Sequence, residues 1–121
     1  MEEQLYREII LEHWKNPQNY GVIKNAAIDI SDSNPLCGDE IRITAKIQDN
    51  KLTDVLFISE GCAISKASAS LFTEKIKKMN IKAIKEITPE ETLEELGIML
   101  TPTRTKCALL VYATLQKGLR K

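Results

Sequence analysis

No stretch of this 121-residue chain approaches the roughly 18 uncharged apolar residues a membrane-spanning helix needs; the longest run, Cys107 to Ala113, is far too short. Glycine and proline are scarce, at 5 and 4 residues, which excludes collagen-like and low-complexity classes. Neither sign of charge is in excess: 17 basic side chains balance 17 acidic ones, so the Lys/Arg surplus of a nucleic-acid binder is absent overall and only a local basic patch remains open. There is one histidine, His13, on an amphipathic segment with no evident nucleophile beside it, which speaks against a cysteine protease. The acidic start Met1-Glu2-Glu3-Gln4 has neither the basic region nor the apolar core of a secretory signal. Cysteine is also scarce, and its count of 3 is odd; three thiols cannot all pair within one chain, so the expectation is reduced cysteines in the cytoplasm.

What remains is 43% hydrophobic and 28% charged, an ordinary globular composition, in a chain long enough to bury a core without disulfides. Residues 1–121 are expected to form a single domain. Leu5, Ile9 and His13, with Tyr6, Ile10 and Trp14, make a helical apolar stripe over about residues 3–15, stopped by Asn16-Pro17. The stripe is expected to pack on the domain, with His13 as a packed helix residue and not a ligand. Ile41, Ile43, Ala45 and Ile47 alternate with Arg42, Thr44, Lys46 and Gln48, a strand with one buried face. Asp49-Asn50-Lys51 reads as a turn into a second strand, Leu52 to Ser59, giving an antiparallel hairpin. Ala26 to Ser31 is a candidate third strand. After Gly61 the period changes to 3.6, predicting a helix to about Met79, whose small residues Ala67, Ser68, Ala69 and Ser70 permit close approach to the sheet. Thr88-Pro89-Glu90-Glu91 is a helix start with Gly97 as its stop, and a last helix is expected from about Arg104–Cys107. The order predicts an α+β fold: a small antiparallel sheet of about three strands with helices packed on one face.

Cys37, Asp39, Cys62 and Cys107 all fall at element boundaries and off the core faces in this reading. In an extended Cys37-Gly38-Asp39 segment, residues two apart point the same way, and Gly38 leaves space between thiol and carboxylate. Cys62 opens a helix and Cys107 is expected in the first turn of the last one, where exposed N–H groups and the helix dipole favour thiolate. Three thiolates and a carboxylate can close a tetrahedron around zinc or supply the terminal ligands of a two-iron cluster. The spacing, with no Cys-x-x-Cys pair, leaves buried apolar cysteines open as the alternative. Asp39 likewise reads either as a ligand or as a turn residue.

Four segments in order resemble the IscU, SufU and NifU amino-terminal family of iron-sulfur cluster assembly proteins. They are His13-Trp14-Lys15-Asn16-Pro17-Gln18-Asn19-Tyr20-Gly21, Asn34-Pro35-Leu36-Cys37-Gly38-Asp39, Glu60-Gly61-Cys62-Ala63-Ile64-Ser65 with Ala67-Ser68-Ala69-Ser70, and Arg104-Thr105-Lys106-Cys107-Ala108. The resemblance covers nearly the whole chain. It implies that Cys37, Asp39, Cys62 and Cys107 are the ligands of a metal or [2Fe-2S] site. It further implies that Cys107 accepts persulfide sulfur from a pyridoxal-phosphate-dependent cysteine desulfurase, and that recipient apo-iron-sulfur proteins are downstream partners. Neither nucleic acid nor a membrane is an expected partner, and both a monomer and a dimer are compatible with the sequence.

Three departures from one branch or the other set this chain apart. Where the IscU branch carries His before its last Cys, this chain has Lys106, as SufU-like members do; a protonated Lys cannot ligate. Yet its separation between the second and third cysteines is short and IscU-like, without the extra segment of the SufU branch. The Leu-Pro-Pro-Val-Lys segment read by an Hsp70-type chaperone in the IscU branch is here Leu100-Thr101-Pro102-Thr103-Arg104. The resemblance therefore implies either a scaffold that builds a transient [2Fe-2S] cluster or a SufU-like zinc-dependent sulfurtransferase; a purely structural zinc is the third reading. Zinc with three thiolates and one carboxylate is formally anionic, so Lys66, Arg104 and Lys106 are candidates to offset its charge.

Overall fold

Alternating apolar residues build a strand only if something covers one face, and here two helices do. The computed structural model describes residues 2–35, 38–97 and 100–120, the side chains of Glu2, Glu3, Gln4 and Tyr6 excepted. Along the chain run α1 (Glu2–Lys15), β1 (Ile28–Asn34), β2 (Asp39–Gln48), β3 (Lys51–Glu60), α2 (Ala63–Ile76), α3 (Ile81–Lys85), α4 (Pro89–Glu94) and α5 (Pro102–Arg120). The sheet is antiparallel in the order β1-β2-β3, with Ile30 opposite Ile43 and Ile43 opposite Phe57. The hairpin turn places Asp49 and Asn50 at φ 54° and 62°, the left-handed pair of a two-residue loop.

Ile28, Ile41, Ile43, Ala45, Val55 and Phe57 form the inner face and meet Ala69, Phe72 and Ile76 of α2 and Leu110, Val111, Leu115 and Leu119 of α5. Burying Phe57 or Phe72 stabilises by roughly 1.5–3 kcal/mol each. A second cluster, Ile10, Ile64, Ala67, Leu96, Cys107 and Ala108, joins α1 to the same two helices. The small residues of α2 therefore serve three approaches at once: Ala69 to the sheet, Ala67 to the second cluster, and Ser70 to α1. Packing of α1 agrees with expectation, since Ile10 is buried and His13 is bonded to Ser70; Leu5 and Trp14 lie on its exposed side, and the Tyr6 side chain lies outside the described residues.

Several boundaries differ from the sequence reading. The third strand covers Ile28–Asn34 and not Ala26 to Ser31, because Asp32, Ser33 and Asn34 are held by pairing with Ile41, Glu40 and Asp39. Helix α2 stops at Ile76, short of Met79, because the backbone beyond it is captured by the sheet edge: Lys78 N–H donates to the Leu52 carbonyl and Leu52 N–H to that of Met79. The edge of β3 is covered further along by Asn19–Gly21, which exchanges two backbone bonds with Phe57. Helix α3, capped by Asn80, has no counterpart in the sequence reading. Helix α5 begins at Pro102, and so Cys107 falls in its second turn and not its first.

Candidate metal centre

Asp39 opens β2 and shares the inward face with Ile41 and Ile43, two and four residues on. It is wholly buried, and Cys107 is 1% exposed, which corrects the expectation that these residues lie off the core faces. Cys107 shares a face of α5 with the buried Leu110, Val111 and Thr114, three, four and seven residues on, and packs with Ile64, Ala67 and Leu96. Ser68 Oγ donates to the Ala108 carbonyl at 2.6 Å and fastens α5 to α2 next to this thiol. Cys62 is half-buried at the N-cap of α2, with extended backbone and no side-chain cap bond.

These three residues converge. The Cys62 N–H donates to Asp39 Oδ1 at 2.7 Å, and Cys62 Sγ lies 3.5 Å from Asp39 Oδ2. One donor atom from each of Asp39, Cys62 and Cys107 lies within 4.8 Å of the others. In a zinc tetrahedron, metal-ligand bonds of about 2.3 Å to sulfur and 2.1 Å to oxygen put sulfur and oxygen about 3.6 Å apart and two sulfurs about 3.8 Å apart. The observed carboxylate-thiol spacing already meets that requirement, so the donor set fits a zinc ion with at most a small contraction. Cys37, the fourth expected donor, lies outside the described residues.

The two glycines flanking the site differ in what they must accommodate. At Gly38 a φ of 70° favours glycine, and apart from its chain neighbours a methyl group would meet no described residue within 4 Å. At Gly61 space is the issue: a methyl there would lie 2.0 Å from Asp39 Oδ1 and 2.8 Å from its Cα. Gly61 was part of a recognised motif without a role of its own, and its place directly before Cys62 was the available signal. Of the expected cations, Lys66 stacks over the Tyr20 ring, 4.7 Å from its centroid, while Arg104 and Lys106 are exposed. Tyr20 also belongs to a groove of about 740 Å³ on the open sheet face, with Ser31, Arg42 and Ile58, away from the inward-facing Asp39.

Among the described residues no helix is long and apolar enough to cross a membrane. The NifU-like N terminal domain model matches residues 5–121. The zinc-dependent sulfurtransferase SufU of Bacillus subtilis is 38% identical over 136 aligned positions covering 98% of this chain and 92% of that protein. That alignment is longer than the chain, so the relative carries residues that are absent here. The iron-sulfur cluster assembly scaffold protein IscU 1 of Archaeoglobus fulgidus is 32% identical, covering 95% of this chain and 74% of that protein. A crystal structure described as a SUF-system iron-sulfur cluster assembly scaffold from Fervidobacterium islandicum superposes with a TM-score of 0.79 at 27% identity, covering 98% of this chain and 99% of that one. With the match running over the sheet, the helices and all three converging residues, the chain belongs to the NifU-like N-terminal domain family.

Proposed function

We propose that this protein serves iron-sulfur cluster assembly in the cytoplasm, taking sulfur from a pyridoxal-phosphate-dependent cysteine desulfurase onto Cys107 and assembling a transient [2Fe-2S] cluster among Cys37, Asp39, Cys62 and Cys107 for recipient apo-proteins. The observation that carries this is the convergence of Asp39, Cys62 and Cys107 from three separate elements to within 4.8 Å. A buried carboxylate among thiolates suits a cargo that must leave again, because oxygen holds iron less tightly than a fourth thiolate would. The sulfur step is an exchange. The Cys107 thiolate attacks the outer sulfur of the donor persulfide, a new S–S bond forms, the donor's S–S bond breaks, and the donor departs as thiolate. Cys107 is buried, so the donor reaches it only when its cover parts. Conversion of each delivered sulfur to sulfide then takes two electrons from a reductant.

A second reading is favoured by Lys106, which removes a histidine ligand, and by the 38% identity to a protein named as a zinc-dependent sulfurtransferase. In it Cys37, Asp39, Cys62 and Cys107 hold zinc, which supplies a redox-inert anchor that tunes thiolate nucleophilicity. Anaerobic incubation with a cognate desulfurase, cysteine and ferrous iron, followed by desalting, separates the two. Two iron and two acid-labile sulfide per chain, lost in Cys37→Ser, are expected for the scaffold; retained zinc with sulfur on Cys107 and no cluster overturns it in favour of the relay.

A further inference from the structure

The two oxygens of Asp39 have different surroundings. Oδ1 accepts the Cys62 N–H at 2.7 Å, whereas Oδ2 faces Cys62 Sγ at 3.5 Å. Cys62 is the N-cap of α2 and makes no cap bond with its own side chain, so the Asp39 carboxylate is an acceptor and negative charge stationed at this helix start. Gly61 closes the arrangement from behind: a side chain there would collide with Oδ1 at 2.0 Å and with Cγ and Cα at 2.8 Å. Oδ1 keeps a second lone pair, but turning the carboxylate to bring Oδ1 round to the thiol side, where Oδ2 lies, would draw it away from the Cys62 N–H inside a site where Asp39 itself has no exposed surface. An amide left without its acceptor there opposes that movement.

We propose that Asp39 serves the metal through Oδ2 alone, Oδ1 remaining on the Cys62 N–H in the loaded protein, and that Gly61 is the positioning residue that permits this geometry. This rests on the reading of Asp39 as a ligand. The carboxylate is thereby preset before metal arrives, and the ligand and the start of α2 are mechanically one unit. Asp39 cannot swing away from the metal without also freeing the Cys62 amide.

The test uses the full chain. Asp39→Asn keeps a carbonyl oxygen for the Cys62 N–H and replaces the ligating oxygen with an amide nitrogen; Asp39→Ala removes both. Amide hydrogen exchange at Cys62 and zinc affinity, by competition with a chromophoric chelator, are measured in each. The expected result is Cys62 protection that persists when the unaltered protein takes zinc. In the metal-free variants, protection is expected to be kept in Asp39→Asn and lost at least about tenfold in Asp39→Ala, while both bind zinc at least about tenfold more weakly. Loss of Cys62 protection on zinc loading, or equal loss in both metal-free variants, overturns the division of roles while leaving Asp39 a ligand. Zinc affinity unchanged in both variants overturns the ligand reading and the proposal together. Gly61→Ala, checked for an intact thermal transition, is expected to lower zinc affinity and Cys62 protection jointly; a folded Gly61→Ala that keeps both removes Gly61 from the account, and the Asp39 pair decides the rest independently of how Gly61→Ala folds.

Discussion

His13 Nδ1 lies 2.6 Å from Ser70 Oγ, and this one contact ties α1 to the middle of α2. The same hydroxyl accepts the Gln18 N–H at 2.8 Å, so a wholly buried serine anchors both the helix and the chain that leaves it. Ser70→Ala leaves the Gln18 N–H and the His13 ring without this partner. A loss of about 1–3 kcal/mol is expected in urea unfolding, with faster amide exchange in α1. Zinc affinity is expected to stay within about threefold of the unaltered protein, because Ser70 lies two helical turns beyond Cys62. A destabilisation below about 0.5 kcal/mol would remove Ser70 as the anchor.

The ion pair between Asp32 and Lys117 joins β1 to the end of α5. The Lys117 ammonium, and then the Ser33 N–H, hold the Asp32 carboxyl below its ordinary value of 3.8. A lowered folded value means that the pair's contribution is complete above 3.8 and disappears as pH falls through the folded value. Asp32→Asn is therefore expected to cost less than about 1 kcal/mol near neutrality, since Lys117 is largely solvated, and nothing once Asp32 is protonated in both states. Urea midpoints of the two proteins across the acid limb check this; a difference that grows toward low pH contradicts it.

Elements were legible where local chemistry and final structure agree. Thr88 caps α4 by accepting the Glu91 N–H at 3.1 Å, as the Thr-Pro-Glu-Glu pattern required, and the β2–β3 hairpin followed from alternation plus an Asp-Asn turn. Elements decided by distant partners were not legible. Nothing local in Lys77-Lys78-Met79 ends a helix; the Leu52 backbone ends it. The five residues of α3 are too few to show a period. At the site, Asp39, Cys62 and Cys107 were legible from the motifs that carry them. Cys107 shares its helix face with Leu110, Val111 and Thr114, but the residues that cover it, Ile64, Ala67 and Leu96, come from distant elements that no local pattern names.

Lys106 adjoins Cys107 in sequence but projects from the exposed side of α5. Salt screens charges of this kind beyond about 8 Å at physiological ionic strength, and water screens them further. Lys106→Ala is accordingly expected to change zinc affinity by less than about threefold, with the change shrinking as salt is raised. A loss of tenfold or more that survives high salt would make Lys106 an integral part of the centre.

Exposure ranks the two described thiols: Cys62 is half-buried, while Cys107 is 1% exposed behind Ile64, Ala67 and Leu96. In metal-free protein a small alkylating agent reaches Cys62 from the native state, but Cys107 only when α5 and its neighbours separate locally. Cys62 is therefore expected to be modified at least about tenfold faster, as read from peptide masses over time. Sub-denaturing urea is expected to narrow the gap by promoting the opening that Cys107 requires. Zinc is expected to slow modification of both thiols, because one donor atom from each already lies within 4.8 Å of the other and of an Asp39 oxygen, and a shared ion would draw all three together. Equal rates in the metal-free protein would mean that Cys107 is open without any such movement, and that sulfur can be delivered to it with the fold closed.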